Sequence, residues 1–573
     1  MRLLQALLLT ATVGGLAPGS ARADVKPHPL FTDNMVLQQG VAVPVWGTAA
    51  PDEKVTVEVG GSGKTAPEVA NTTADKDGNW KVALPAQKAG TGFTLTIKGK
   101  NTVALKNVAV GEVWVCSGQS NMEWSVNAGE TPDKVKEGAK HPDLRLFTVQ
   151  KRTAPAPITD QADLKHFTKW VESSPETVGS FSAVAYHFGV KLQKELGVPV
   201  GLIHTSWGGT PAQAWASAEA LAADPMLKYY ADAAKAAATK YEADKKAFDP
   251  AKAKAAYETA FAAWKEAAAK AKEDKKPIPK EPAKPGTGPN PLGPGTPGVL
   301  YNAMIHPLLP FAVKGAIWYQ GESNAGKAFE YRTLMPAMIS DWRKRFGTEL
   351  PFFMVQLAPF KGGQSGVDYA ELRDAQLNAT KVLPKVGIAV ITDVGDEKDI
   401  HPKPKQPVGE RLALSAAAIA YDKKIEYSGP LFKSVQVEGD KAVLTFDHVG
   451  GGLAAKDSEL AGFAVAGEDK VFHPAKAEIK GDKVVVSSDK VTKPVAVRYG
   501  WVNFAKPTLN FFNKAGLPAT PFRTDDFPFT TDPKTVVPKK VEPKKVEPKK
   551  EAPKPEPKKD APKPEPKKDA PKP

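Results

Sequence analysis

Val113-Trp114-Val115-Cys116-Ser117-Gly118-Gln119-Ser120-Asn121-Met122 decides how this chain is read. A run of β-branched and aromatic residues that ends in Ser-Gly describes a buried strand reaching a tight turn. Ser120 then stands at the carboxyl edge of a sheet, where open α/β folds place their sites. Serines in turns after strands are common, so the stretch gains its meaning from three later blocks that follow it in order.

Around this stretch the pattern is that of a parallel sheet. Apolar runs at Val200-Gly201-Leu202-Ile203, Ala316-Ile317-Trp318-Tyr319, residues 352–357 and residues 387–391 alternate with helical stretches, clearest at 183–196 and 331–346. Such alternation predicts a three-layer α/β/α core of flavodoxin-like type over 108–424. Residues 217–297 interrupt it. They are rich in Ala, Lys and Glu, and Tyr257, Phe261 and Trp264 fall on one helical face. Asp249-Pro250 reads as an N-cap followed by proline at the first helical position. A helical hairpin with a Pro/Gly-rich return is expected there, packed on the main domain.

On either side of the core lie β-patterned regions. Val55-Thr56-Val57-Glu58-Val59 and Phe93-Thr94-Leu95-Thr96-Ile97 alternate, with turn signals between them, so 24–107 predicts a small β-sandwich. Residues 425–530 predict a second β-region. Residues 531–573 repeat Glu-Pro-Lys-Lys units with almost no apolar content beyond Val and Ala, and predict a disordered, extended tail.

The ends also carry the chain's charge. The formal net charge is +14, but 14 lysines against 7 acids lie after residue 532, and Arg2 and Arg22 belong to the leader. About +5 remains on the body, which removes the argument for a nucleic-acid partner. Met1-Arg2, the apolar run from Leu3 to Leu9, and the small-x-small Ala21-Arg22-Ala23 read as a signal peptide over 1–23, with export to the periplasm or outside. No later segment has the apolar length of a membrane span. Cys116 is the sole cysteine, so no intrachain disulfide forms; inside a buried strand it is a core residue.

Ester hydrolysis needs a nucleophile, a base to take its proton, an orienter for that base and donors for the developing oxyanion. Ser120 is the candidate nucleophile, and its own N–H a candidate donor. His204-Thr205-Ser206-Trp207-Gly208-Gly209-Thr210-Pro211 follows a strand, and its paired glycines allow a backbone N–H close to a ligand. Trp318-Tyr319-Gln320-Gly321-Glu322-Ser323-Asn324 offers Asn324 as an amide donor. Glu322 reads as a general acid or base, or as a buried carboxylate tying loops together. The last block runs from Asp393 to Pro402. Asp399 and His401 are two apart, so in an extended loop they point to one side and a carboxylate–imidazole contact is allowed. A metal pair is the other reading, and it lacks further ligands at metal-site spacing. His204 and His306 read as structural.

With these blocks in place, the chain resembles the sialate O-acetylesterase family of the SGNH hydrolases. The matching segments are Gly111 through Trp124, Thr205 through Trp215, Trp318 through Asn324, and Asp399-Ile400-His401-Pro402 with Gly409-Glu410-Arg411-Leu412. His28 through Gln38 and Pro521-Phe522-Arg523-Thr524-Asp525 also match. The resemblance implies a serine esterase that removes O-acetyl groups from sugars through an acetyl-enzyme, with no cofactor and no metal. It implies Ser120 as nucleophile, His401 as base, and an oxyanion hole of Ser120, Asn324 and Gly208 (or Gly209). Gln119, Gln320 and Glu322 are expected to bind substrate or support the site. In the general SGNH pattern the acid lies three residues before the histidine, and that position here is Lys398. Asp399, where this subfamily has its acid, is therefore the expected orienter, with Asp396 in reserve.

An acetyl-xylan or other polysaccharide acetylesterase fits the same blocks. Outside enzymes, the alternative is a non-catalytic carbohydrate-binding protein of the envelope, its lysine-rich tail touching acidic polymers. The intact set of Ser120, Asn324, Asp399 and His401 argues against it.

Overall fold

The structure is a computed structural model that describes residues 24–535 apart from 62, 64, 65, 287 and 458. The leader read at 1–23 and the tail beyond 535 lie outside the described residues.

Seven strands run in continuous order through an 11-stranded sheet: β1 (Thr102–Gly118), β2 (His141–Thr148), β3 (Val171–Ser173), β4 (Val200–Ser206), β5 (Gly315–Tyr319), β6 (Phe352–Val355) and β7 (Val386–Ala389). Their order is β3-β2-β4-β1-β5-β6-β7. All neighbours are parallel except the short edge strand β3. Every residue of β4, β5 and β6 is buried, as strands covered on both faces require.

The helices that matter here are α1 (Ser120–Glu123), α2 (Ala183–Leu196), α3 (Lys228–Ala247), α4 (Pro250–Glu273), α5 (Ala328–Phe346), α6 (Asp368–Val382) and α7 (Gln406–Ala420). Crossovers leave β1 toward β4 and leave β5 toward β7, so right-handed connections place their helices on opposite faces. α2 packs on α7, and α5 on α6. At the α2–α7 contact, a Cβ on Gly409 would lie 2.6 Å from the Val184 carbonyl and 2.6 Å from the Phe188 nitrogen, so only glycine allows this approach.

β1 is 17 residues long and spans the expected boundary at 107/108. Its first half pairs antiparallel with Gly90–Lys98, and its second half lies between β4 and β5. Asn107, with φ +54°, marks the change. The amino-terminal strands and the core therefore share a sheet and one hydrophobic core, from Val55, Leu95 and Trp80 through Trp114 to Trp342.

The insert is the expected pair of helices, α3 and α4. The Asp249 side chain accepts from the Ala251 and Lys252 amides as an N-cap. Tyr257, Phe261 and Trp264 stack along α4 with ring centroids 5.5 and 5.4 Å apart, and the Trp264 indole N–H donates to the Pro279 carbonyl. Residues from 431 onward build two four-stranded sheets and one two-stranded sheet around Leu444, Val465, Val484, Tyr499, Phe511 and Phe522. Among the described residues, no helix is long and apolar enough to cross a membrane.

Candidate active site

Register brings the blocks together. Gly118 lies opposite Ser206 of β4 and Tyr319 of β5, so three strands end level and deliver Ser120, Gly208 and Gln320 to one sheet edge. Gly118 has φ +141°, and a Cβ there would sit 2.2 Å from the Tyr319 carbonyl oxygen. The chain therefore turns tightly enough for the Gln119 amide to donate to that same carbonyl at 2.9 Å. α1 begins at Ser120, so the Ser120 N–H has no partner within the helix.

The loop after β7 closes the site. His401 Nε2 lies 2.8 Å from Ser120 Oγ, and Trp124 stacks on the imidazole at 4.8 Å between centroids. The imidazole is held below its ordinary range, first by burial and then by the nearby Lys405 ammonium, while Asp399 pulls the other way. Asp399 Oδ1 accepts the His401 backbone N–H at 2.8 Å and stands 3.8 Å from His401 Nδ1, longer than a hydrogen bond. Its side chain is half exposed. Asp396 does not reach the imidazole in this arrangement. It accepts from the Lys398 and Asp399 amides, which hold its carboxyl below the usual range, and it shapes the loop instead.

Asn324 is 2 % exposed and tightly held. Its Oδ1 accepts from the Ala212 amide at 2.9 Å and from Gln320 Nε2 at 2.6 Å, and its Nδ2 donates to Gln213 Oε1 at 3.0 Å. One amide hydrogen remains for a ligand. The Gly208 N–H is engaged: it donates to Glu123 Oε2 at 2.6 Å, and Glu123 pairs with Lys151 at 2.6 Å. Gln119, Gln320 and Glu322 sit behind the site. Gln119 accepts from the Gly321 and Ser323 amides, Gln320 accepts from the Tyr331 hydroxyl, and Glu322 accepts from Asn121 Nδ2 at 2.6 Å. Burial raises the Glu322 carboxyl. His204 bonds Ser206 at 2.6 Å and burial lowers it to about 4, while His306 reaches the Ile158 carbonyl.

Two open clefts flank the pair. One, ≈ 700 Å³, is lined by Ser120, Glu123, Trp124, Lys151, Gly208 and His401. The other, ≈ 670 Å³, is lined by Gly209, Glu322, Asn324, Gln364, Tyr369 and Ile400. A larger cavity of ≈ 870 Å³ lies against Phe472, Arg498 and Trp501 and holds no serine or histidine.

Reading the sequence alone missed Glu123, Trp124, Lys151 and Lys405. Glu123 and Trp124 stand in the first block, and Lys405 four residues after His401, at the N-cap of α7. For Lys151 no local signal exists, since Lys151 meets Glu123 only through the fold.

A family model described as carbohydrate esterase, sialic acid-specific acetylesterase, matches residues 110–248 and 283–418, leaving out the stretch of the insert that holds α4. The sialate O-acetylesterase of Homo sapiens is 27% identical over 535 residues, covering 86% of this chain and 91% of that protein. That of Rattus norvegicus is 28% identical over 540 residues, covering 86% and 93%. The crystal structure of a carbohydrate acetylesterase from Xanthomonas citri superposes with a TM-score of 0.71 at 36% identity, over 88% of this chain and 100% of that one. The level strand ends, the Ser120–His401 contact and these likenesses converge: the chain belongs to the sialate O-acetylesterase family of carbohydrate esterases, and it is a carboxylic ester hydrolase.

Proposed function

We propose that this enzyme removes O-acetyl groups from carbohydrates with Ser120 as nucleophile and His401 as base. The observation that carries the reading is the 2.8 Å contact between Ser120 Oγ and His401 Nε2 at the edge of the sheet. Oγ attacks the acetyl carbonyl carbon while its proton passes to Nε2. The tetrahedral oxyanion is met by the Ser120 N–H and by Asn324 Nδ2, whose remaining hydrogen is uncommitted. The C–O bond to the sugar then breaks, and the leaving oxygen takes the proton from Nε2. Water, deprotonated by the same imidazole, attacks the acetyl-serine, and acetate leaves as Oγ regains its proton.

Asp399 orients His401 through the loop as much as through the ring, since its hydrogen bond is to the His401 main chain. The Gly208 N–H joins the oxyanion hole when Glu123 gives it up. Export rests on the leader read at 1–23. The tail is read as a spacer, with a tether to acidic envelope polymers as the alternative. Salt-sensitive attachment that disappears on deleting residues after Thr531 supports the tether, and salt-insensitive behaviour leaves a spacer.

The test is acetate release by the purified mature chain from O-acetylated sialic acid and from acetylated xylan, beside Ser120→Ala. Release that vanishes in the variant supports the serine esterase, and the preferred substrate names its class. Equal release by the variant contradicts it.

A further inference from the structure

Lys405 is 2 % exposed, packed against Asn121 and Trp124 next to the reacting pair in the chain, and no step of the reaction uses it. Burying an ammonium is costly unless polar groups or aromatic faces replace its water. Here the ammonium donates to Asn121 Oδ1 and lies over two ring faces, 5.8 Å from the Trp124 centroid and 5.7 Å from that of Tyr319. Among the described residues no carboxylate pairs with it directly. Glu322 lies on the far side of Asn121.

Asn121 is the joint. Its Nδ2 donates to Glu322 Oε1 at 2.6 Å and to the Ile400 carbonyl at 3.0 Å. A lysine ammonium only donates and a carbonyl only accepts, so the Lys405 and Ile400 contacts leave the amide one permitted orientation. Asn121 is the chain neighbour of Ser120, and Ile400 of His401. One side chain therefore spans the two segments that must keep Oγ and Nε2 at 2.8 Å, and Lys405, at the start of α7, fixes that side chain.

We propose that Lys405 is a positioning residue for the esterase: through Asn121 it holds the segments of Ser120 and His401 in register, and its charge keeps the His401 imidazole in the neutral form that accepts the serine proton. The inference rests on the reading of Ser120 and His401 as nucleophile and base. Its electrostatic half follows from charge placement. A cation beside an imidazole disfavours the imidazolium, and Lys405 acts in that direction after burial, against Asp399. Burial lowers Lys405 itself to about 7, with Glu322 and Asp399 opposing, so it is charged on the acid side where His401 titrates. The buried Tyr319 phenol stays protonated, because burial raises it well above its ordinary value. Glu123 and Lys151 face the same cleft as an ion pair. Glu130, His187 and Lys403 border a small cavity beside Lys405, and burial keeps His187 neutral by lowering it to about 4.

The experiment reads kcat/KM against pH for the full mature chain, Ser120→Ala, Lys405→Gln and Lys405→Arg, with melting temperatures beside them. Loss of activity in Ser120→Ala secures the underlying reading, and its survival would remove that reading whatever Lys405 does. Lys405→Gln keeps a donor and loses the charge. It is expected to lose about tenfold in kcat/KM at neutral pH and to move the acid limb up by about half a pH unit or more. Lys405→Arg is expected to keep the acid limb of the parent. A Lys405→Gln limb at the parent position, or undiminished kcat/KM, overturns the proposal. If the Lys405 variants do not fold, Asn121→Ala decides. It keeps the charge and cuts the joint, so lowered kcat with the parent limb supports the proposal and parental kcat overturns it.

Discussion

At the residue scale the site consists of short contacts set in a buried polar scaffold, and each contact carries its own prediction. Asn324→Ala removes an oxyanion donor and is expected to cost about 10²–10³ in kcat with little change in KM. A melting curve separates that loss from the three hydrogen bonds the side chain also makes. Asp399→Asn is expected to cost less, about ten- to a hundredfold in kcat/KM, because a half-exposed carboxylate 3.8 Å from the ring holds the tautomer loosely. Parental turnover would remove Asp399 from the mechanism. The pH dependence has a defined sign. His401 must be neutral to act, and burial depresses its pKa, so kcat/KM falls with decreasing pH through a limb below the ordinary imidazole value of about 6.5. A limb at or above that value contradicts the burial argument.

Elements explain which residues were legible in advance. Ser120, Gly208 and Asn324 each follow an apolar run by a few residues, and His401 follows one by ten; a strand ending in a Gly-marked turn is a local pattern. Parallel register then brings such turns to one edge without further information. Long-range pairings had no such signature. The use of the Gly208 N–H by Glu123 depends on a contact 85 residues apart, and the Lys405–Asn121 contact on one 284 residues apart. The continuity of β1 was hidden for another reason. Its first half is solvated on one face, so the change of pattern at 107/108 reads as a domain boundary, although the strand passes through it. The same scale gives a stability prediction. Gly409→Ala puts a methyl group into the α2–α7 contact, and chemical denaturation is expected to show a loss of about 1–3 kcal/mol. An unchanged midpoint would mean the helices part freely.

Across the whole molecule, buried side chains join the core to the carboxyl-terminal β-region. Arg373 of α6 is 1 % exposed and donates to the carbonyls of Leu357, Ala358, Val502 and Asn503, uniting the strand edge beyond β6 with the 502–503 loop. Burial lowers it to about 10, so it remains charged at neutral pH. Glu371, on the same helix, accepts the Thr530 and Thr531 amides and anchors the chain near the end of that region. Arg373→Met is expected to destabilise by about 3–5 kcal/mol, since four carbonyls lose their donor together. A loss under about 1 kcal/mol would mean that water replaces the guanidinium at no cost.

The most direct test of the account is rapid-quench mass spectrometry of the chain during turnover of an O-acetylated sugar. The account predicts an acetyl group on the peptide carrying Ser120, absent in Ser120→Ala together with acetate release. Acetate released at the parental rate by Ser120→Ala, with no acetyl-peptide in the parent, would contradict it.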